Sequence, residues 1–274
     1  MDAHSTSPST LYALLGIEAA PVIVDVRRDP AFEADDAMIA GAIRRSPEEA
    51  ATWATSLPPG RPVVAYCVHG HEVSQGVAQA LRSAGVSATF LEGGIEGWRG
   101  GRLPMRRRHE EARCWVTREH PKIDRIACPW LIRRFIEPEA EFLYVPADRV
   151  FAVAAETGAV PYDIPGAEPF AHDGELCSFD TILHHYGIHD PALDRLALIV
   201  RGADTARHDL VPEAAGLHAI SLGLSANFPD DHAMLERGMV IYDALYTWCR
   251  DLRHDVHNWT PPVATETEVS EGVP

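Results

Sequence analysis

The sequence predicts two folds in series: an α/β unit with a parallel sheet and flanking helices, then a mainly α-helical (α+β) unit. Three observations carry this. At 274 residues the chain is long enough for two domains. Up to about residue 102, short β-type apolar runs alternate with helical ones, as a parallel α/β sheet requires. Beyond residue 113 helical periodicity dominates. Charge divides at the same place. Residues 1–113 hold 12 basic and 14 acidic side chains, whereas residues 114–274 hold 12 and 26. The expected boundaries are a first domain at 1–103, a solvated linker at 104–113, a second domain at 114–259, and a disordered tail at 260–274. That tail is rich in Pro, Thr, Val and Glu.

In the first half, Val63, Val64 and Ala65 form a short buried strand. Val77, Ala80 and Leu81 recur at helical spacing. Between them lies the most informative stretch of the chain: Cys67, Val68, His69, Gly70, His71, Glu72, Val73 and Ser74. A strand that delivers a cysteine to a glycine-bearing loop at a helix start surrounds the sulfur with backbone N–H groups. Those groups and the positive helix end favour an anion. A thiolate so placed has a lowered pKa and becomes a nucleophile. No Lys or Arg lies between Cys67 and Arg82, so His69 and His71 are the only local cations in this stretch.

Four segments resemble a rhodanese domain, in that family's order. They are Val22-Ile-Val-Asp25-Val-Arg27, Ala40-Gly-Ala-Ile43, Cys67-x-x-Gly70, and Leu91-Glu-Gly-Gly94-Ile-Glu-Gly97-Trp98. The resemblance implies an α/β domain whose Cys67 takes a sulfane sulfur as a persulfide and passes it to a thiol acceptor. It also implies supporting roles for Asp25, Arg27 and Trp98. If the helix opens at Ser74, the loop is one residue longer than in simple sulfurtransferases. In relatives, that length accommodates larger oxyanions such as phosphate or arsenate.

In the second half, Ile123, Ile126, Ala127, Trp130, Leu131 and Phe135 fit an amphipathic helix with Asp124 as its N-cap. Pro129 kinks it unless it lies in the first turn. Phe142–Val145 reads as a strand, with shorter ones at 161–164 and 169–171. Ser178 caps a helix ending at Gly187, and Asp190-Pro191 opens another to about Arg201. A further helix lies within 209–224. Asp230 or Asp231 caps the last, which runs to about Leu252.

Several of these segments resemble the C-terminal domain of the chromate-resistance ChrB family. They include the run from Asp124 to Phe135, His172-x-Gly174-x-x-Cys177-Ser-Phe179, Ile199-Val-Arg-Gly-Ala-Asp204 and Tyr242-Asp243-Ala-Leu-Tyr246. The resemblance spans roughly 115–253 and implies an association with chromate resistance.

Ten of the 14 histidines lie in the second half, among many carboxylates. His120 and Asp124 are four residues apart, as are His232 and Glu236, a spacing that aligns ligands on one helix face. His172 sits in a loop position suited to a functional side chain. Asp204 ends an apolar helix, where a carboxylate is electrostatically unfavourable and therefore has a partner. We expect His120, Asp124, His172 and Asp204, with Glu213 nearby, to hold a divalent metal. Mixed His and carboxylate ligands suit Mn, Fe or Zn. The same residues also serve as caps and ion-pair partners, and that alternative stays open. Lys122, the only lysine, could form an oxyanion pocket with Arg125, Arg133 and Arg134.

Composition excludes other classes. Five scattered cysteines without a Cys-x-x-Cys pair make neither a disulfide framework nor a structural zinc site. The acidic second half argues against nucleic-acid binding. No run approaches the ~18 apolar residues of a membrane span, and there is no signal pattern. A cytoplasmic enzyme follows, a sulfurtransferase-type protein acting on a small sulfur or oxyanion substrate, with no organic cofactor. The alternative is a non-catalytic sensor of chromate or sulfur oxyanions.

Overall fold

The computed structural model describes residues 4–108 and 113–255. The expected tail at 260–274, His257 and part of the expected linker lie outside the described residues.

The first half contributes strands β1 (Ser5–Thr6), β2 (Val22–Asp25), β3 (Ala37–Ile39), β4 (Ala42–Arg44), β5 (Val63–Tyr66), β6 (Ala88–Leu91) and β7 (Met105–Arg107). Its helices are α1 (Pro8–Ala13), α2 (Asp29–Glu33), α3 (Ala50–Trp53), α4 (Glu72–Ser83) and α5 (Gly94–Gly100). Five strands form one parallel sheet in the order β1-β6-β5-β2-β4. The central strand β5 is buried along its whole length, which is why Val63-Val-Ala-Tyr66 reads as a continuous apolar run rather than an alternation.

The second half contributes β8 (Cys114–Arg118), β9 (Glu141–Val145) and β10 (Val160–Pro161), a parallel sheet in the order β10-β8-β9. Around it stand α6 (Ile123–Leu131), α7 (Val150–Thr157), α8 (Ser178–Tyr186), α9 (Pro191–Asp204), α10 (Glu213–Asn227) and α11 (Asp231–Thr247). The expected α+β character is therefore observed. Among the described residues, no helix is long and apolar enough to cross a membrane.

Several local expectations change. The cap of α6 is Lys122, not Asp124, and Pro129 lies inside the helix, which widens into a π-turn at Ile132–Ile136. Asp190 and Asp230 do cap α9 and α11 through their side chains. Residues 169–171 form no strand. The expected linker is not a free connector, because Met105–Arg107 pairs antiparallel with β3. Arg106 is buried there and donates to the Ala42 carbonyl at 3.1 Å.

The largest apolar cluster joins both halves. Leu11, Leu15, Ile23 and Ile39 belong to it together with Trp130, Phe135, Tyr242 and Tyr246. Polar contacts reinforce the seam. Tyr12 and Tyr246 both donate to Asp190, and Arg250 donates to the carbonyls of Tyr12, Ala13 and Leu15. Gly41 shows how close the halves come. Its N–H donates to the Phe135 carbonyl at 2.6 Å, its φ is +76°, and a Cβ there would lie 2.6 Å from the Arg134 carbonyl oxygen. Only glycine fits that conformation at that distance.

Candidate functional sites: a thiol cradle and a carboxylate–histidine cluster

Cys67 follows β5 and is 7% exposed. The loop after it is short. The α4 helix opens at Glu72, with His71 at the cap, so the extra loop residue expected from a start at Ser74 is not there. Gly70 adopts φ +73°, and a Cβ there would run into the Leu91 carbonyl. The loop is clamped on its other side by α5. The N–H groups of Ile95 and Glu96 donate to the carbonyls of Cys67 and Val68 at 3.0 and 3.1 Å.

The sulfur lies 3.2 Å from the Ser74 hydroxyl. Burial alone would raise the Cys67 pKa. The Ser74 hydroxyl and the backbone N–H groups of Ser74, His71 and His69 outweigh burial and bring it below the ordinary thiol value. The other four cysteines are pushed the opposite way, with burial the leading cause in each. Cys128 and Cys177 are fully buried in the core.

A cavity of about 220 Å³ opens over the sulfur, lined by His69, His71 and Glu72, and also by Arg27 and Arg28. The arginines come from the turn after β2, far away in sequence, so a search confined to the loop misses them. Arg27 is held by Asp25 through Nε and Nη2 and by Asp35 through Nη1, while Asp25 also accepts from the Tyr66 hydroxyl at 2.8 Å. Trp98 is fully buried, and its Nε1 donates to the Pro104 carbonyl. It supports α5 rather than the cavity. Removing the Ser74 hydroxyl by Ser74→Ala should raise the Cys67 pKa by about one pH unit, the scale of one hydrogen bond to a charged group. The pH dependence of iodoacetamide alkylation measures this. An unmoved midpoint would assign the whole effect to the backbone N–H groups.

The second site lies between β8, α6, α8 and α9. His172 Nε2 stands 3.3 Å from Asp163 Oδ1, 3.3 Å from Asp204 Oδ2 and 3.5 Å from Asp124 Oδ2. Ligand atoms of Asp124, Asp163 and His172 all fall within 4.8 Å of one another. Each carboxylate is fixed from behind. Asp124 Oδ2 accepts from the Ser178 N–H at the start of α8 at 2.7 Å. Asp163 accepts from the Ser178 hydroxyl at 3.0 Å and from Arg118 Nη2 at 3.2 Å. Asp204 accepts from the Asp124 N–H at the start of α6. Asp204 thus has the partner that its position demands: it sits at the end of its own helix and against the positive end of another.

The cluster is short of positive charge at Asp124, which is 1% exposed and whose Oδ1 has no partner among the described residues. Burial, then the Asp204 and Asp163 charges, raise its pKa to about 7 against the lowering effect of His172. Hydrogen bonds to Asp124, Asp163 and Asp204 push His172 up to about 12, over the opposing effect of burial.

The expected ligand set is only partly assembled. Asp124, His172 and Asp204 come together, and Asp163, absent from the expectation, joins them. His120 does not. Its φ of +56° takes it off any helix face shared with Asp124, and its imidazole is exposed near Asp231 at 3.9 Å. Glu213 is also elsewhere, paired with Arg195 at 3.0 Å. His232 packs edge-on to Tyr144, and Glu236 pairs with Arg133, so that i, i+4 pair forms no site. The expected oxyanion group disperses. Lys122 is an exposed helix cap, Arg134 pairs with Asp243, and Arg125 alone turns to the cluster, 3.5 Å from Asp163 Oδ2.

Residues 7–100 match the rhodanese-like domain family, and residues 115–249 match the family described as ChrB, C-terminal domain. Protein ChrB of Cupriavidus metallidurans is 36% identical over 149 residues, 54% of this chain and 44% of that protein. The match therefore spans less than half of that relative's length. A full-length protein from Lactobacillus plantarum is 31% identical, covering 39% of this chain and 89% of its own, with a TM-score of 0.35. A rhodanese-related protein from Thermoplasma volcanium is 26% identical over 37% of this chain and 96% of its own, with a TM-score of 0.33.

Proposed function

Since the chain joins a rhodanese-like domain to a ChrB C-terminal domain, we propose that it is a sulfurtransferase acting through Cys67, coupled to a divalent-cation site and serving resistance to chromate and related oxyanions. The observation that carries the first part is the cradle around the sulfur: one hydroxyl, three backbone N–H groups, and a pKa lowered despite burial. The thiolate attacks the outer sulfur of a donor such as thiosulfate. A bond forms between Cys67 Sγ and that sulfur, the donor's S–S bond breaks, and sulfite leaves with the electron pair. The same N–H groups then hold the persulfide anion. An acceptor thiolate attacks its outer sulfur and regenerates Cys67. Arg28, exposed at the cavity wall, offers the positive charge that draws an anionic donor in, whereas the Arg27 charge is spent on Asp25 and Asp35. A reducing cytoplasm is the compartment that keeps all five cysteines as free thiols.

The cation reading rests on Asp124, Asp163, Asp204 and His172, one nitrogen and three carboxylates. That donor set fits Mn(II), Fe(II) or Zn(II), and the unpartnered buried Oδ1 of Asp124 supplies the fit from this chain's own structure. These four residues would hold the ion, Ser178, Arg118 and Arg125 orient the carboxylates from behind, and a bound ion would supply Lewis acidity there.

Intact-mass measurement after thiosulfate treatment tests the sulfur-transfer reading. The wild type should gain the mass of one sulfur atom, reversible by a thiol, and Cys67→Ser should gain none. Failure of the wild type to gain it, or an equal gain in Cys67→Ser, would refute the assignment.

A further inference from the structure

We propose that the cation-filled cluster takes a small oxyanion as co-ligand, bound through Arg118. This rests on the cation reading above and extends it to a ligand class.

The cluster is not closed. Asp163 and His172 also line a cavity of about 350 Å³, with Arg118 and Glu168 on its wall. Arg118 links the two features. Its Nη2 donates to the Asp163 carbonyl at 2.8 Å and to Asp163 Oδ2 at 3.2 Å. Its side chain is 36% exposed, and among the described residues its hydrogen bonds all leave from Nη2. A planar guanidinium that spends one nitrogen on a ligand carboxylate and stays open to solvent is suited to an anion.

Charge points the same way. Three carboxylates (Asp124, Asp163 and Asp204) face two guanidiniums, Arg118 and Arg125, and the His172 imidazole. A divalent cation held by these carboxylates would add positive charge beside Arg118 on the cavity wall, which an anion offsets. A second cavity, of about 540 Å³, also reaches His172, but Glu168, Asp173, His184 and His185 line it and no arginine does. The anion therefore enters on the Arg118 side. Glu168 is exposed on that rim and opposes it.

Linkage tests this. If a loaded cation tightens oxyanion binding, the oxyanion must tighten cation binding by the same factor. The probes are Mn²⁺ and sulfate, with chloride at matched ionic strength as the reference, by titration calorimetry on the full chain. Each protein is read as the ratio of its Mn²⁺ affinities in the two salts, so a change in Mn²⁺ affinity itself cancels. The wild type should tighten about fivefold or more in sulfate, near the lower end of ordinary coupling. Arg118→Ala should reduce the ratio to one, and Glu168→Gln should enlarge it. A wild-type ratio of one, or an undiminished ratio in Arg118→Ala, overturns the oxyanion inference and leaves the cation site standing. If Arg118→Ala does not fold, the wild type and Glu168→Gln decide: a ratio of one in both, or no increase in Glu168→Gln, overturns it. A wild type that binds no Mn²⁺ in either salt overturns the cation reading, and this inference with it.

Discussion

Trp130→Ala should destabilise both halves of the chain together, by about 3–5 kcal/mol, the usual cost of removing a buried tryptophan. Trp130 is fully buried at the centre of the aromatic cluster. Its ring lies 5.5 Å from Phe135, 5.7 Å from Tyr246, 6.2 Å from Tyr242 and 6.4 Å from Phe179, between centroids. Its Nε1 donates to Asp243 at 2.7 Å, and Asp243 also accepts from Arg134 and from the Glu18 backbone N–H. Alanine would leave a cavity among these rings and remove one donor from a partly buried carboxylate. The damage should not stop at the second half, because Leu11, Leu15 and Ile23 share the same cluster. Urea unfolding monitored by far-UV circular dichroism and by alkylation of Cys67 separates the possibilities. A shared core requires coincident transitions that shift together. A Cys67 transition that stays put while the helical signal moves would show two independent cores.

The sequence is most legible where the chemistry is local. Cys67, Gly70 and Ser74 lie within eight residues, and a buried strand followed by a glycine and a helix determines the cradle with little help from elsewhere. Arg28 reaches the same cavity only because β2 and β5 are sheet neighbours, a pairing that no local pattern encodes. The second site is the harder case, since its four side chains come from a helix start, two loops and a helix end. His172 and Asp204 were legible from their positions, one in a loop and one at an unfavourable helix end. Asp163 was not, because 161–164 reads as a strand. Its φ of +50° instead turns the carboxylate out of β10 and onto Ser178 and His172. His120 and Glu213 were over-read. Four-residue spacing aligns side chains only on a continuous helix, and Pro121 and the positive φ at His120 precede the helix. The seam was invisible for another reason. Apolar residues such as Leu15 and Ile23 satisfy a core, but nothing in their pattern says whose core it is.

Asp124→Asn should weaken Mn²⁺ binding by more than about a hundredfold while keeping the fold. Loss of an outer-shell partner already costs ~10–100-fold in metal sites, and Asp124 is an inner ligand in the proposed site. Asparagine keeps the shape and an acceptor for the Ser178 N–H at 2.7 Å, so the start of α8 stays capped. It removes the charge and one of the three carboxylates around His172. The pH dependence should change with it. Both Asp124, raised to about 7, and His172, raised to about 12, hold protons that a cation must displace. Asp163 and Asp204 favour those protons, whereas Arg118 and Arg125 oppose them. Because both pKa values are raised, neutral pH leaves protons on the ligands, and Mn²⁺ affinity in the wild type should climb as pH rises through neutrality. In Asp124→Asn one of the two competing protons is gone, so the climb should be shallower. Free Mn²⁺ measured by electron paramagnetic resonance across this range reads both effects. An affinity in the wild type that ignores pH would mean that the cation binds somewhere other than these ligands, because no ion can occupy the cluster without releasing its protons.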